Sequence, residues 1–228
     1  MNSQPKAFFE SAVISLPTAP VMSVTIYWLE THHAKAPAPP GIRYLHLRNR
    51  LMGSPAAAGD LLTTEAKAYE SAFPEIEERF TRASDGLVVD LVVESPSCAP
   101  HASEFAEAAI RVHPKAVRAA FDYDCVNGKR TNAAKGATVS DLEAAMTPRM
   151  PFPQLHQAKR VLIVDDIFND GDTAAAVLHK LWAGGLNRRA SILVAVPLRV
   201  MPSETQTKYD FSGVLGESTR QINTHTHV

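Results

Sequence analysis

The chain has 228 residues, 45% of them hydrophobic and 21% charged, which is enough apolar material for a sizeable core in one domain with an appendage or two small lobes. A net charge of −1 gives no electrostatic footprint for non-specific nucleic-acid binding. No apolar run approaches the roughly 20 residues that cross a bilayer, and the first residues lack a basic and apolar leader pattern, so a soluble cytoplasmic protein is expected. Cys98 and Cys125 have neither a CxxC nor a zinc spacing and are expected as reduced thiols. The terminal Thr224-His225-Thr226-His227 offers too few ligands for a metal site.

Residues 1 to 20 carry three prolines and no clear period. Val21 to Leu29 is β-branched and aromatic, which predicts a strand. After a proline-rich loop, Ala34 to Gly41, the alternation in Ile42 to Leu47 predicts a second strand, able to pair antiparallel with the first. Ala66, Tyr69, Phe73, Ile76 and Phe80 recur at helical steps, with Pro74 kinking that helix or starting another. Leu87 to Val93 is nearly continuous apolar sequence, as in a strand covered on both faces. Phe105, Ala109 and Ile110 predict a helix ending before Pro114, and Val117 to Phe121 a short strand. Residues 124 to 139 read as a long loop. Ser140 to Glu143 is a candidate capping box opening a short helix. Val161 to Val164 predicts a strand. Ala174, Val177, Leu178, Leu181 and Trp182 form a helical stripe ended by Gly184-Gly185, and Ile192 to Val196 predicts a last strand.

Strands alternating with helices imply an α/β fold with a parallel twisted sheet flanked by helices, whose ligands sit beyond the carboxyl ends of the strands. That rule puts Asp165-Asp166 and the turn behind them in the site. Paired carboxylates accept hydrogen bonds from vicinal hydroxyls of a ribose. Gly171 lets the backbone curve close to a ligand, and a helix starting near Asp172 offers N–H groups to a phosphate.

The segment VLIVDDIFNDGDT, residues 161–173, resembles the phosphoribosyl-pyrophosphate (PRPP) motif of type I phosphoribosyltransferases: apolar strand, two acids, short turn, Gly-x-Thr. The resemblance covers roughly residues 87 to 200. It implies that Asp165 and Asp166 hold the ribose hydroxyls and lie near magnesium carried on PRPP, and that Asn169, Asp170, Gly171, Asp172 and Thr173 wrap the 5′-phosphate. It puts Ser95, Ser97 and Cys98 in a loop near pyrophosphate, and Lys129, Arg130 and Lys135 on a catalytic loop that neutralises the leaving group. Tyr209 to Val214 is similar to the base-stacking segment of the 6-oxopurine enzymes, which makes Phe211 and Arg199 acceptor candidates. The resemblance implies small-molecule substrates, PRPP and an acceptor base, and a homodimer.

Two residues depart from the family pattern, which has Thr, Ser or Ala at the position of Asp170 and rarely an acid at Asp172. Either these carboxylates turn away while the backbone binds phosphate, or the pocket does not take PRPP. Two functions follow: transfer of the phosphoribosyl group to a nitrogen nucleophile, with a purine base as the candidate acceptor, or a non-catalytic PRPP- or nucleotide-binding regulator. The expected division is an N-terminal hood or extension over 1–84, a phosphoribosyltransferase-like core over 85–200, and a C-terminal segment over 201–228. Asp122 and Asp124 read as the solvated end of a strand. Cys98 and His101 read as loop residues rather than a thiol–imidazole pair. A receiver domain needs more chain after the acids, a haloacid-dehalogenase phosphatase needs Asp-x-Asp, and neither a Gly-x-Gly-x-x-Gly nor a Gly-x-Ser-x-Gly element is present.

Overall fold

The structure is a computed structural model that describes residues 9–18, 20–33, 74–97, 101–123, 125–126, 129–130, 138–149 and 155–201. The strands are β1 (Glu10–Leu16), β2 (Met22–His33), β3 (Leu91–Glu94), β4 (Val117–Tyr123), β5 (Cys125–Val126), β6 (Lys129–Arg130), β7 (Met146–Pro148), β8 (Arg160–Val164), β9 (Ile167–Phe168) and β10 (Ser191–Met201). The helices are α1 (residues 74–84), α2 (His101–Val112), α3 (Val139–Ala144) and α4 (Asp172–Ala183).

The main sheet runs β1-β2-β10-β8-β3-β4-β7, with β9 also paired to β10. Its centre, from β2 to β4, is parallel; β1 and β7 close it antiparallel. This is the mostly parallel α/β sheet expected from the alternation of strands and helices.

Alternating side chains of the buried strands feed two cores. Val161 and Ile163 of β8 join Leu91, Val93, Val194 and Val196 on the face covered by α4, where Ala174, Val177, Leu178 and Leu181 pack. Leu162 and Val164 join Val92 and Ala195 on the opposite face, covered by Phe105, Ala106 and Ala109 of α2 and by Ile76 and Phe80 of α1. The Phe80 and Phe105 rings meet at 4.9 Å between centroids. Period-2 alternation between two apolar layers explains why β8 reads as an unbroken apolar run.

Several details differ from expectation. Residues 10–16, read as aperiodic, form edge strand β1. β2 pairs antiparallel with β1, since the strand expected at Ile42 to Leu47 lies outside the described residues. β2 also pairs in parallel with β10, so the sheet crosses the boundary expected between residues 84 and 85. The strand expected from Leu87 begins at Leu91. There the Asp90 carboxylate accepts from the Lys159 and Arg160 amides at 3.1 and 3.0 Å and from the Arg160 guanidinium, fixing the starts of β3 and β8 together.

The capping box sits two residues earlier than expected. Thr138 is the N-cap, its hydroxyl accepting from Asp141 N while the Asp141 carboxylate accepts from Thr138 N, so Ser140 lies inside α3. The stretch expected as a loop over 124–139 contains a small antiparallel pair, β5 with β6. Gly184 caps α4, and Gly185 at φ 102° takes the left-handed turn that ends it, as the Gly-Gly pair suggests. Among the described residues no helix is long and apolar enough to cross a membrane.

Candidate functional site

The chain leaves β3 for α2 on one face of the sheet and leaves β8 for α4 on the other. The crossovers therefore part between these neighbouring strands, and their carboxyl ends open a crevice there. Ligands of open α/β sheets bind at such a switch point. A pocket of ≈ 310 Å³ lies at this place. Its polar wall is Ser95 after β3, and Asp165, Asp166, Asn169, Asp170 and Thr173 after β8, with Gly171 beside them. Its apolar wall includes Ile163, Phe168 and Val194.

The two acids stand off the sheet for a reason written in β10. Val164 pairs with Ala195, and Ile167 pairs with Leu198, in one continuous register. In this register the next donor to the ladder would be the amide of residue 197, reaching Asp165 O, and Pro197 has no N–H to give. Asp165 N still donates to Ala195 O at 3.2 Å, but Asp166 N turns to the Asp165 carboxylate, Oδ1 at 2.8 Å. Asp165 is half-buried and Asp166 is only 4% exposed.

Behind the acids, Gly171 is the N-cap of α4 with φ 86°. A Cβ there would lie 2.9 Å from Leu16 Cδ2 and 3.1 Å from Phe168 Cζ. Glycine is thus required twice, by backbone sign and by the approach of β1. The side chain of Gly171 is absent where the turn must pass under Leu16, which ties the unanticipated strand β1 to the site.

The two departing acids behave differently. Asp172 is buried, 5% exposed, and is not among the pocket-lining residues. Asp170 lines the pocket, and its Oδ1 accepts from Asp172 N, the first amide of α4, at 3.3 Å.

Ser95 is the other notable polar group. Its amide donates to Val164 O at 2.9 Å, fixing the β3 exit against β8. Its hydroxyl is buried, with no hydrogen-bond partner among the described residues, and the residue lines the same pocket. A buried hydroxyl left unpaired costs free energy that a bound ligand recovers.

Other expected site residues fall elsewhere. Ser97 is described but does not line the pocket. Lys129 and Arg130 form β6, with their side chains outside the described residues; Cys98, Asp124, Lys135, Phe211 and the terminal histidines lie outside them altogether, as does the His101 side chain. Arg199 is not a lining residue either: its guanidinium lies 4.4 Å from the Trp28 ring centroid, a cation–π contact. Burial lowers its pKa, partly opposed by the Glu10 carboxylate. Glu10 also accepts from Trp28 Nε1 at 2.9 Å.

A buried acid that sequence reasoning passed over sits just before Ser95. Glu94, 4% exposed, accepts from Arg118 Nη2 at 2.7 Å and pairs with Arg149 Nη1 at 3.3 Å. Arg149 also binds Asp122 at 2.9 Å, so Asp122 is half of an ion pair at the end of its strand. This network fixes the carboxyl ends of β3 and β4 beside the crevice. Its partners lie far apart in sequence, and no local spacing announces them.

A second pocket, ≈ 340 Å³, opens at the amino ends of the strands, lined by Asp90, Leu91, Val117 and the 155–160 segment. Its one carboxylate is committed to Arg160 and two backbone amides, so it offers structure rather than chemistry. Among the described residues no group of three or more His, Cys, Asp and Glu side chains is arranged to hold a metal ion.

No family model matches the chain, and no curated protein matches it. Among solved structures, a purine phosphoribosyltransferase from Pyrococcus horikoshii Ot3 is similar at TM-score 0.38 and 12% identity, over 60% of this chain and 90% of that one. A TM-score of that size does not separate a shared fold from a shared α/β architecture.

Proposed function

We propose that the crevice after β3 and β8 is a phosphoribosyl site, and that the protein transfers the 5-phosphoribosyl group of PRPP to a nitrogen nucleophile. The observation that carries this reading is the meeting, on one pocket wall, of the adjacent acids Asp165 and Asp166, the glycine-led start of α4 and the unpaired hydroxyl of Ser95. Adjacent carboxylates suit the vicinal hydroxyls of a pentose. The start of α4 suits its phosphate. The Ser95 hydroxyl suits a polar group at the reacting end of the sugar.

In the proposed reaction the bond from ribose C1 to the pyrophosphate oxygen breaks, and pyrophosphate leaves with the electron pair. The nucleophile's nitrogen bonds to C1 and gives up its proton to solvent. The residues hold the reactants in line and stabilise charge, with no covalent intermediate on the protein. Lys129, Arg130 and Lys135 are the cations assigned to the leaving group in this reading.

The adjacent carboxylates of Asp165 and Asp166 suit a hydrated cation carried by the substrate. Magnesium, bound with PRPP, supplies counter-charge for the pyrophosphate. Asp165 and Asp166 are the residues that would lie in its hydration shell.

Replacing Asp165 or Asp166 by Asn is expected to weaken PRPP binding by about 1.5–3 kcal/mol each, the scale of hydrogen bonds to charged groups. Titration calorimetry with PRPP and magnesium measures this. Unchanged affinity in both variants removes the ribose assignment.

A second reading, a PRPP- or nucleotide-binding regulator without turnover, is favoured by the carboxylate of Asp170 on the pocket wall. Pyrophosphate release from PRPP with a panel of bases distinguishes the two. Turnover with any base selects the transferase, whereas binding without turnover selects the regulator.

A further inference from the structure

The amide at the start of α4 is already taken. Asp172 N donates to Asp170 Oδ1 at 3.3 Å, so a carboxylate of the chain itself sits on the helix end to which a phosphate would bind. Three of the described residues lining this pocket are aspartates, Asp165, Asp166 and Asp170, and among the described residues none is Lys, Arg or His. Among the described residues of the wall, no cation offsets the repulsion between Asp170 and an incoming phosphate. The pocket nonetheless suits a polar ligand, because the Ser95 hydroxyl, on a residue 1% exposed, has no partner among the described residues.

We propose that Asp170 is a built-in competitor for the phosphate seat, so that a phosphate-bearing ligand binds only when the Asp170 side chain swings off the Asp172 amide. This rests on the phosphoribosyl reading above and adds a specificity device to it. Asp170 and the phosphate compete for the same N–H, and the resting protein holds the site closed to phosphate alone. The sugar contacts of Asp165 and Asp166 must then contribute to displacing it. The site favours ligands that carry pentose and phosphate together over free phosphate.

The test uses the full chain and ribose 5-phosphate as the probe. Asp170→Ala removes the competing acceptor, and Asp170→Asn keeps a side-chain oxygen for the amide but removes its charge. Calorimetry gives the affinities, and the 15N-resolved Asp172 amide resonance reports the seat. Asp170→Ala is expected to bind ribose 5-phosphate about tenfold more tightly than the parent, with Asp170→Asn between them and the Asp172 amide shifting on binding. Equal affinity in all three proteins overturns the competitor role and leaves the phosphoribosyl reading standing. Binding by none of the three overturns both.

Discussion

At the scale of single residues, the site depends on a few backbone decisions. Pro197 leaves Asp165 O without a ladder donor, and Gly171 admits the turn beneath Leu16 and Phe168. Gly171→Ala forces a side chain into a left-handed backbone and into contacts of 2.9 and 3.1 Å, so it is expected to destabilise the fold by about 1–2 kcal/mol, read from urea unfolding. Glu94→Gln removes the charge that holds Arg118 and Arg149. Both arginines are partly exposed, so the expected loss is about 1–2 kcal/mol rather than the larger cost of breaking a fully buried pair. These residues divide by how local their signal is. The acids, the turn and Gly171 were legible because strand, acids, turn and helix start follow one another within thirteen residues. Ser95 was legible as the loop after an apolar strand. The partners of Glu94 were not, because Arg118 and Arg149 meet it only through strand pairing. The opposite placements of Asp170 and Asp172 depend on side-chain directions at a helix start, which residue types alone do not specify.

Among the elements, long apolar patterns carried over and edges did not. β8, α4 and α2 match their periodicities, since each buries a full face. β1 does not read as a strand because apolar Val13, 61% exposed, stands between half-buried Ala12 and buried Ile14, which breaks the apolar–polar alternation that marks a strand. The start of β3 was misread because Asp90 looks like an interruption in an apolar run, although it is the clamp between β3 and β8. The Arg160 guanidinium, with the amides of residues 159 and 160, holds the Asp90 carboxyl below its ordinary value of 3.8. A carboxylate depressed in the folded state contributes stability that is present above the unfolded pKa and lost as pH falls through the folded one. Asp90→Asn is therefore expected to lower the urea midpoint at pH 7. The gap to the parent protein is expected to narrow in acid, as the pH falls through the lowered folded-state pKa of Asp90. A gap unchanged from pH 7 into acid means that Asp90 acts through packing and not through its charge.

For the whole molecule, the functional proposal follows from topology. Parallel strands send all their carboxyl ends to one side, and opposite crossovers from β3 and β8 open a crevice there. β1 and β2 extend the same sheet, so the N-terminal segment supports the site through Leu16 rather than only standing over it. The molecule carries a pocket at each end of its strands, and only one has acids, a helix start and an unpaired hydroxyl together. Mapping backbone amide shifts on adding PRPP with magnesium separates the two ends directly. The account predicts perturbations at Ser95 and at residues 165 to 174. Shifts confined to Asp90, Lys159 and Arg160, or no shifts at all, contradict it.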